Sequence, residues 1–417
     1  MNRKIPLKEL CIDDEWGKYG IPASAEEYDN NKTRYLRITD ISEDGELLNN
    51  DKKSVSAPDI DKYLLKEGDI VFARTGNSTG KSYYHEDKNG KLAFAGFLIK
   101  YSLDKAKVNP KYVKFFTITN EYKNWVKNLS VGSTRGNINA QTFGDCPISV
   151  PERKQQDLLV RTLSLIIEKI ELNNRINAEL EAMAKTLYDY WFVQFDCPDK
   201  NGKPYKTSGG KMVWNEELKR EIPEGWEVQK LKEFATTGSG GTPLSTKKEY
   251  YENGDIPWIN SGELNSLYII QTDNYITKNG LDNSSAKLFP SNTLLIALYG
   301  ATAGKVSLLK LEAATNQAVC AILLKGQSYL NYLKFALSDL YQYLINLSTG
   351  SARDNLSQDL VKDLIFVIPP NNFIKQFNEI VNPSIEKIVS SIQENQKLTE
   401  LRDWLLPMLM NGQVKVN

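Results

Sequence analysis

The chain has 417 residues, one histidine and a formal net charge of zero, because 52 lysines and arginines balance 52 aspartates and glutamates. This length exceeds one ordinary hydrophobic core, so two or more domains are expected. The single histidine argues against a His-rich metal site or a histidine-based catalytic triad. Without excess positive charge, composition alone does not indicate DNA binding, and a nucleic-acid interface would have to concentrate its basic residues on one face.

The cysteine spacing and the apolar runs indicate the cellular compartment of the protein. The four cysteines, Cys11, Cys146, Cys197 and Cys320, stand singly, which is typical of reduced thiols in a cytoplasm. No apolar run is long enough to span a membrane, and the first residues contain no apolar signal region. We therefore expect a cytoplasmic protein with no bound metal and no membrane contact.

The first segment, residues 1–150, alternates short β-type runs with turns and is predicted to be a mixed α/β domain. Strands are predicted from the apolar or alternating runs at 35–41, 69–74 and 93–99. The dipeptide Asn109-Pro110 predicts the start of a helix that continues to Trp125.

The next segment, residues 151–195, predicts one long helix. Its apolar residues recur in alternating steps of three and four, and Asn173 and Asn177 fill two of those steps. Such a pattern is a heptad seam with a polar break, which requires a partner helix. At 1.5 Å per residue a helix of this length reaches roughly 60 Å, which is typical of a spacer.

The second part of the chain repeats the first. Glu168 corresponds to Glu386, 218 residues later, and the surrounding residues follow the same offset. We interpret this as a tandem duplication in which residues 223–368 repeat the first domain and residues 369–417 repeat the long helix. Residues 196–222, rich in glycine, proline and lysine, are predicted to be a connector.

The predicted fold class is therefore α+β (mixed), with two α/β domains in tandem repeat separated by two long helices that pair with each other. A stripe of this kind is far more often core than a cofactor site. The residues predicted to form the helix seam are Leu163, Ile170, Asn177, Leu187, Ile388, Asn395, Leu398 and Leu405.

Two glycine turns occupy equivalent places after predicted strands. The turn from Gly76 to Ser82 resembles a phosphate-binding P-loop but is one residue short. The residues after each turn favour a strand rather than the helix whose N-terminus would bind a phosphate. Nucleotide binding, a plain glycine turn and a DNA-contact loop remain open as interpretations. For the DNA-contact interpretation, the candidates at and near these turns and at the strand ends beside them are Arg37, Arg74, Asn77 and Lys81, and in the second copy Asn260, Ser261, Tyr299, Thr302 and Lys305.

Two polar loops precede the long helices, at 132–137 and 350–355. Each carries an arginine and an asparagine two residues apart, and these side chains can bind guanine and adenine respectively. A purely structural role, with the arginine paired to a carboxylate, is an equal alternative. The DNA-binding candidates in the two loops are Ser133, Arg135, Asn137, Ser351, Arg353 and Asn355.

Taken together, these residues resemble the DNA-specificity (S) subunits of type I restriction–modification enzymes over essentially the whole chain. Each matching segment is weak alone, but their order and doubled arrangement are specific. The first half departs from the pattern at 11–15, where the second copy has a Gly-Gly-Thr-Pro turn. The segments that carry the resemblance lie at 68–76, 132–151, 176–181, 184–192, 202–206, 223–226, 240–243, 314–318 and 401–407.

The resemblance implies a DNA-recognition subunit without catalytic activity of its own. Each α/β domain would be a target-recognition domain for one half of a bipartite, asymmetric DNA site. The long helices would pair antiparallel as a coiled coil and set the gap between the half-sites. The implied partners are double-stranded DNA, two methyltransferase subunits docked on the helices and two motor–nuclease subunits. Those subunits would bind S-adenosylmethionine, ATP and magnesium, whereas this chain would bind no cofactor.

Two other functions stay open. A fused restriction or methyltransferase enzyme would need a cofactor glycine loop and an Asn/Asp-Pro-Pro-aromatic motif; the run Asn109-Pro110-Lys111-Tyr112 has lysine at the third position and reads as a helix start. A coiled-coil adaptor that binds only protein would leave the polar loops without a role in DNA recognition.

Overall fold

The computed structural model describes residues 3–130, 137–349 and 356–413. The predicted mixed α+β class is confirmed, since both copies combine β-sheets with short helices and the chain contains two long helices. The chain forms two compact units, Met1–Ile170 with Lys397–Asn417, and Glu171–Gln396. The boundaries between these units fall inside the two long helices. They therefore do not test the bounds of the five predicted segments, which stay a prediction.

The two long helices are the longest elements of the structure. The central helix is Arg153–Tyr188, which continues into a π-helical turn at Asp189–Val193. The C-terminal helix is Asn371–Met410. Both begin shortly after the prolines that the sequence places at their starts, where a missing backbone N–H costs no hydrogen bond.

The helices pair antiparallel within the second unit. The rings of Trp191 and Phe377 lie 6.1 Å apart, whereas Asn173 contacts Asn395. Residues later in the central helix thus contact residues earlier in the C-terminal helix. This confirms the predicted antiparallel coiled coil. The apolar residues that these helices contribute to the core of the second unit are Ala184, Tyr188, Trp191, Phe192, Ile374, Phe377, Val381, Ile385 and Ile388.

In the first unit, the start of the central helix shares a core with the end of the C-terminal helix. Leu159 and Leu163 are buried together with Leu406 and Leu409. None of the eight predicted seam residues is exposed: Leu163 and Ile388 are buried, and the others are half-buried. The heptad spacing therefore identified the side of each helix that faces away from solvent.

The first unit places two four-stranded sheets beside a layer of short helices. The first sheet has the order Cys11–Tyr19, Leu98–Leu103, Asp69–Ala73, Ser82–Tyr84, and the second Glu26–Glu27, Lys53–Val55, Thr33–Leu36, Leu92–Phe94. A separate pair joins Arg3–Pro6 to Pro147–Val150. The helices are Pro110–Phe116, Asn120–Ser130 and Ala140–Gly144.

The second unit repeats four strands of the first sheet and three of the second, with one added strand in its larger sheet and a different edge strand in its smaller one. Its larger sheet runs Ala235–Ser239, Val319–Leu324, Leu294–Ala297, Val306–Leu309, Tyr268–Ile269, and its smaller sheet Tyr275–Ile276, Ile256–Ile259, Ala313–Thr315, Leu288–Phe289. A pair joins Glu227–Lys230 to Ile365–Ile368. The helices are Leu231–Phe234, Lys278–Asp282, Leu330–Asp339, Tyr341–Thr349 and Gln358–Lys362.

Several strands in each unit are buried on both faces, among them Asp69–Ala73 and Leu294–Ala297. In Asp69–Ala73, Ile70 and Phe72 pack toward the helices while Val71 and Ala73 pack toward the second sheet. The strand Leu294–Ala297 alternates between two cores in the same way. Burial on both faces explains why these strands read as continuous apolar runs rather than as alternating ones.

Several predicted elements are wrong in detail. The predicted strand 35–41 ends at Leu36, and Ile38–Asp40 is a 3-10 turn. The predicted strand 93–99 is divided into Leu92–Phe94 and Leu98–Leu103, because a turn intervenes. The predicted connector is not entirely loop: its strand Met212–Asn215 pairs with Arg220–Pro223 as a hairpin.

Amide side chains join the two long helices at the polar break in the second unit. Asn173 Nδ2 donates hydrogen bonds to Glu394 Oε2 and to Asn395 Oδ1, both at 2.8 Å. Asn395 Nδ2 in turn donates to Asn174 Oδ1 at 2.8 Å. Buried amides that bond across a helix pair favour one register over its neighbours, because a shifted register would leave them unpaired.

The same region contains buried polar atoms that bond to no protein group in the described residues. They are Asn173 Oδ1, Asn177 Oδ1 and Ser391 Oγ. A buried hydroxyl or carbonyl without a partner costs about 1–3 kcal/mol. The polar break therefore lowers the stability of the helix pair while it selects the register.

Replacing Ser391 with alanine is expected to stabilise the protein. Ser391→Ala removes an unpartnered hydroxyl without changing packing, so the free energy of unfolding should rise by about 1–2 kcal/mol in chemical denaturation. The matched control is Ser390→Ala, an exposed neighbour on the same helix, which should gain only the helix propensity of alanine, about 0.5 kcal/mol. A lower stability for Ser391→Ala would mean that the hydroxyl has a favourable partner.

Candidate nucleic-acid interface

The first predicted contact turn lies at the end of a buried strand. Strand Asp69–Ala73 leads into a 3-10 turn at Gly76–Ser78, and strand Ser82–Tyr84 follows. Gly80 has a φ of +89°, and a Cβ there would come within 2.5 Å of Val126 Cγ1, so only glycine fits. Because a strand rather than a helix follows the turn, no helix N-terminus is available to bind a nucleotide phosphate there.

Arg74 is held at the edge of this turn by two side chains. Its Nε and Nη2 donate to Asn137 Oδ1 at 3.3 and 3.2 Å. Its guanidinium also lies 5.0 Å from the centre of the Tyr19 ring. Two DNA-binding candidates, Arg74 and Asn137, are therefore in direct contact although they are 63 residues apart in the chain.

Asn77 and Lys81 flank the same turn in different environments. Asn77 is exposed, whereas Lys81 is half-buried and its Nζ lies 2.8 Å from Glu43 Oε1. A cavity of about 380 Å³ opens between the turn and helix Asn120–Ser130. The polar residues that line it are Glu43, Asn77, Thr79, Lys81, Ser82, Thr117, Tyr122, Lys123 and Lys127.

Arg37 is engaged inside the first unit. Its Nε and Nη2 donate to the two carboxylate oxygens of Asp40 at 3.0 and 2.7 Å, and Nη2 lies 3.1 Å from Asp51 Oδ2. The Asp40 side chain is only 6% exposed. A bidentate pair with a buried carboxylate is a structural contact, so a DNA role for Arg37 stays a prediction without support from its geometry.

In the second unit, the candidates Asn260, Ser261 and Thr302 form hydrogen bonds around the 3-10 turn Ser261–Glu263. The Asn260 backbone N–H donates to Glu263 Oε1 at 2.9 Å and its side chain accepts from Asn316 at 3.2 Å. Thr302 is buried, and its hydroxyl donates to the carbonyl of Ser261 at 2.8 Å. The hydroxyl of Thr302 is thus used inside the unit rather than presented to a ligand.

Tyr299 and Lys305 lie nearer to the surface. Both are half-buried, and Lys305 Nζ donates to Asn265 Oδ1. Lys305 also lines a cavity of about 310 Å³ together with Asn265, Ser338 and Tyr341. This cavity corresponds in position to the one in the first unit, between the glycine turn and the second helix of the repeat.

The two units differ at the position of Arg74. Ile138 donates its backbone N–H to the carbonyl of Arg74 at 2.9 Å, and Leu356 donates in the same way to the carbonyl of Leu298 at 2.7 Å. Leu298 is therefore the counterpart of Arg74, and it is 6% exposed. Five loop candidates, Ser133, Arg135, Ser351, Arg353 and Asn355, lie outside the described residues.

Two exposed aromatic residues near Arg74, Tyr19 and Phe97, were not predicted from the sequence. Tyr19 is 43% exposed and Phe97 is 61% exposed, and the carbonyl of Phe97 accepts the backbone N–H of Arg74 at 3.0 Å. An exposed aromatic cannot be told from a core aromatic by residue type. The one feature of the sequence that could have indicated an exposed Phe97 is the glycine directly before it, Gly96, which interrupts the apolar run from 93 to 99.

Charged side chains connect the repeated domain of each unit to a long helix within the same unit, through a nearly buried pair in the second unit and a more exposed pair in the first. In the second unit, Lys334 Nζ pairs with Glu181 Oε1, and Tyr268 donates to Glu181 Oε2 at 2.9 Å. Burial lowers the pKa of Lys334, and the attraction of Glu181 opposes that shift. In the first unit, Arg402 Nη2 lies 3.2 Å from Asp44 Oδ2.

Among residues 3–130, 137–349 and 356–413, no group of three or more His, Cys, Asp or Glu side chains is arranged to hold a metal ion. No helix in the same ranges combines the length and the apolar character needed to cross a bilayer.

Comparison with known proteins identifies the family. The profile described as "Type I restriction modification DNA specificity domain" matches residues 3–182 and 223–400, which is most of the chain. The chain therefore belongs to the type I restriction–modification DNA specificity family. The resemblance inferred from the sequence is confirmed, and because this family comprises recognition components, the fused-enzyme alternative loses its support.

Relatives with assigned names extend over most of this length. The chain is similar to the HindI specificity subunit of Haemophilus influenzae, with 24% identity over 85% of this chain and 88% of the relative. It is also similar to the MjaIX specificity subunit of Methanocaldococcus jannaschii, with 26% identity over 75% of this chain and 71% of the relative. The crystal structure of an S subunit from M. genitalium shares the fold, with a TM-score of 0.57 at 16% identity, covering 97% and 95% of the two chains.

Replacing Arg37 is expected to destabilise the first unit. Arg37→Ala leaves the Asp40 carboxylate buried without its guanidinium, so the free energy of unfolding should fall by about 2 kcal/mol in chemical denaturation. The control is Arg34→Ala, because Arg34 donates only to the neutral oxygens of Asn49 and Leu48 and should lose less. If Arg37→Ala kept full stability but altered DNA specificity, the structural assignment would be wrong.

Proposed function

We propose that this chain is the DNA-sequence-recognition subunit of a type I restriction–modification complex. Each recognition segment, residues 1–150 in the first copy and 223–368 in the second, reads one half of a bipartite, asymmetric site. The observation that carries this proposal is one scaffold built twice with different contact residues: Arg74 in the first copy corresponds to buried Leu298 in the second. Two copies with unlike contact residues suit two half-sites of unlike sequence.

The corresponding cavities supply the contacts to the DNA backbone in this proposal. Lys81, Lys123 and Lys127 line the cavity of the first unit, and Lys305 lines that of the second. Lysine ammonium groups bind phosphate oxygens, fix the register of a protein on the duplex and carry no sequence information. Because the whole chain has zero net charge, the chain alone binds DNA weakly and its partners add to the affinity.

Exposed apolar residues on the long helices are the proposed docking sites for two methyltransferase subunits. In the second unit, Leu172, Met183 and Ile380 are 42%, 67% and 54% exposed. In the first unit, Leu165, Leu401 and Trp404 are 58%, 42% and 56% exposed. Contiguous exposed apolar patches are typical of surfaces that bind another protein, and Leu401 and Trp404 lie about one helical turn apart on the same helix.

The remaining parts of the proposal concern the chemistry and its location. Methylation with S-adenosylmethionine belongs to the methyltransferase subunits, and translocation and cleavage with ATP and magnesium belong to two motor–nuclease subunits. This chain binds none of these cofactors and works in the cytoplasm, where its DNA is. The paired helices set the gap between the half-sites.

Deleting the gene for this chain is expected to abolish adenine methylation at one split, asymmetric motif in the host genome. Long-read mapping of methylated adenine measures the result, and a plasmid copy of the wild-type gene should restore the motif. A protein-only adaptor is the second candidate, favoured by the exposed apolar residues on the helices. An unchanged map, together with a methyltransferase-free complex, would favour that adaptor.

Introducing a charge on the proposed docking surface is expected to release one methyltransferase subunit. Met183→Asp places a carboxylate where an apolar contact is proposed, and Leu401 lies at the corresponding position of the second copy. Native mass spectrometry of tagged complexes should show one methyltransferase subunit for Met183→Asp and none for the double variant with Leu401→Asp. The matched control, Ala182→Asp, puts the same charge on another side of the helix, about 100° away, and should retain both.

A further inference from the structure

We propose that Arg74 reads a guanine in the half-site bound by the first unit, with Tyr19 and Asn137 as positioning residues. The inference rests on the proposed function and deepens it, because it assigns one base to one side chain. From the sequence, Arg74 is a DNA-contact candidate that could meet either a phosphate or a base. The contacts of its guanidinium favour base recognition.

The hydrogen bonds of Arg74 occupy one edge of the guanidinium and leave the other available. Asn137 Oδ1 accepts from both Nε and Nη2, at 3.3 and 3.2 Å. The opposite edge, formed by Nη1 and the second hydrogen of Nη2, retains two parallel N–H groups. Guanine presents two acceptors, O6 and N7, in the major groove, and an arginine fork binds them bidentately.

Tyr19 fixes the plane of that fork. The guanidinium carbon lies 5.0 Å from the Tyr19 ring centre, within the range of a cation–π contact. The Tyr19 hydroxyl accepts the backbone N–H of Ala140 at 3.2 Å, so the ring is anchored at its far end. A side chain held on two sides before binding loses less conformational entropy when it meets a base.

The charge of Arg74 is compensated differently from that of other basic candidates. Arg37 binds two carboxylates and Lys81 binds Glu43. Among the described residues, the guanidinium of Arg74 bonds to a carboxamide oxygen, not to a carboxylate. Asn137 therefore orients the arginine without neutralising it, and the full positive charge stays available to the acceptors of a base.

Phe97 adds an exposed apolar surface next to Arg74. Its carbonyl accepts the backbone N–H of Arg74 at 3.0 Å, and 61% of its area is exposed. The counterpart of Arg74 in the second unit is the buried Leu298, so this guanine contact belongs to the first half-site only.

The test replaces Arg74 in the native complex and maps methylated adenine across the host genome. Arg74→Lys keeps the charge but lacks the bidentate fork, so the requirement for guanine at one position of one half-site should fall about tenfold or more. Arg74→Gln should move the preference at that position from guanine toward adenine, which glutamine binds bidentately. The other half-site should stay unchanged in both variants.

Two further variants separate recognition from simple charge. Lys81→Ala should weaken methylation at all sites alike, without changing the motif, because a phosphate contact carries no base preference. Asn137→Ala should relax the same motif position as Arg74→Lys, and should add nothing in an Arg74→Ala background. An additive effect in that background would overturn the positioning role of Asn137.

The outcomes distinguish this inference from the proposed function. A motif that keeps its full guanine requirement in both Arg74→Lys and Arg74→Gln, with methylation still present, overturns the inference and leaves the proposed function intact. A wild-type chain whose deletion changes no methylated motif overturns the proposed function and the inference with it. Relaxation confined to one position of one half-site supports both.

Discussion

Apolar packing between the two long helices is the contact on which both compact units depend. In the second unit, Tyr188 and Trp191 share a core with Phe377 and Ile385, although nearly two hundred residues separate them in the chain. That core also contains strands and helices of the recognition segment. Loss of the helix pairing would therefore remove part of the core of the segment as well, because one hydrophobic core serves both.

Arginine residues in the first unit show how a partner decides the role of a charged side chain. Arg37 pairs with the buried carboxylate of Asp40, so its charge is neutralised inside the fold. Arg74 meets the neutral amide of Asn137 and the face of Tyr19, so it is oriented while its charge remains available. Residue type alone does not distinguish the two, whereas the chemistry of the accepting group does.

The sequence predicted what depends on local spacing. The heptad steps identified the long helices, and the apolar run at 69–74 identified a strand, since both patterns follow directly from burial. It could not predict that Ile38–Asp40 turns away from the sheet, because that turn depends on the side chain of Arg37 reaching Asp40. Nor could it place Tyr19 beside Arg74, because that contact depends on how strands distant in the chain are arranged.

The pairing of Glu181 with Lys334 has a consequence for how new specificities arise. Glu181 belongs to the central helix and Lys334 to the second recognition segment, so the two halves of a nearly buried ion pair are encoded on opposite sides of the connector. A recombination event inside the connector would leave Lys334 facing a residue from another lineage. An uncompensated buried ammonium is strongly destabilising. If the second recognition segment were joined to the central helix of another gene, we expect the hybrid to fold stably only where that helix carries an acid at the position of Glu181.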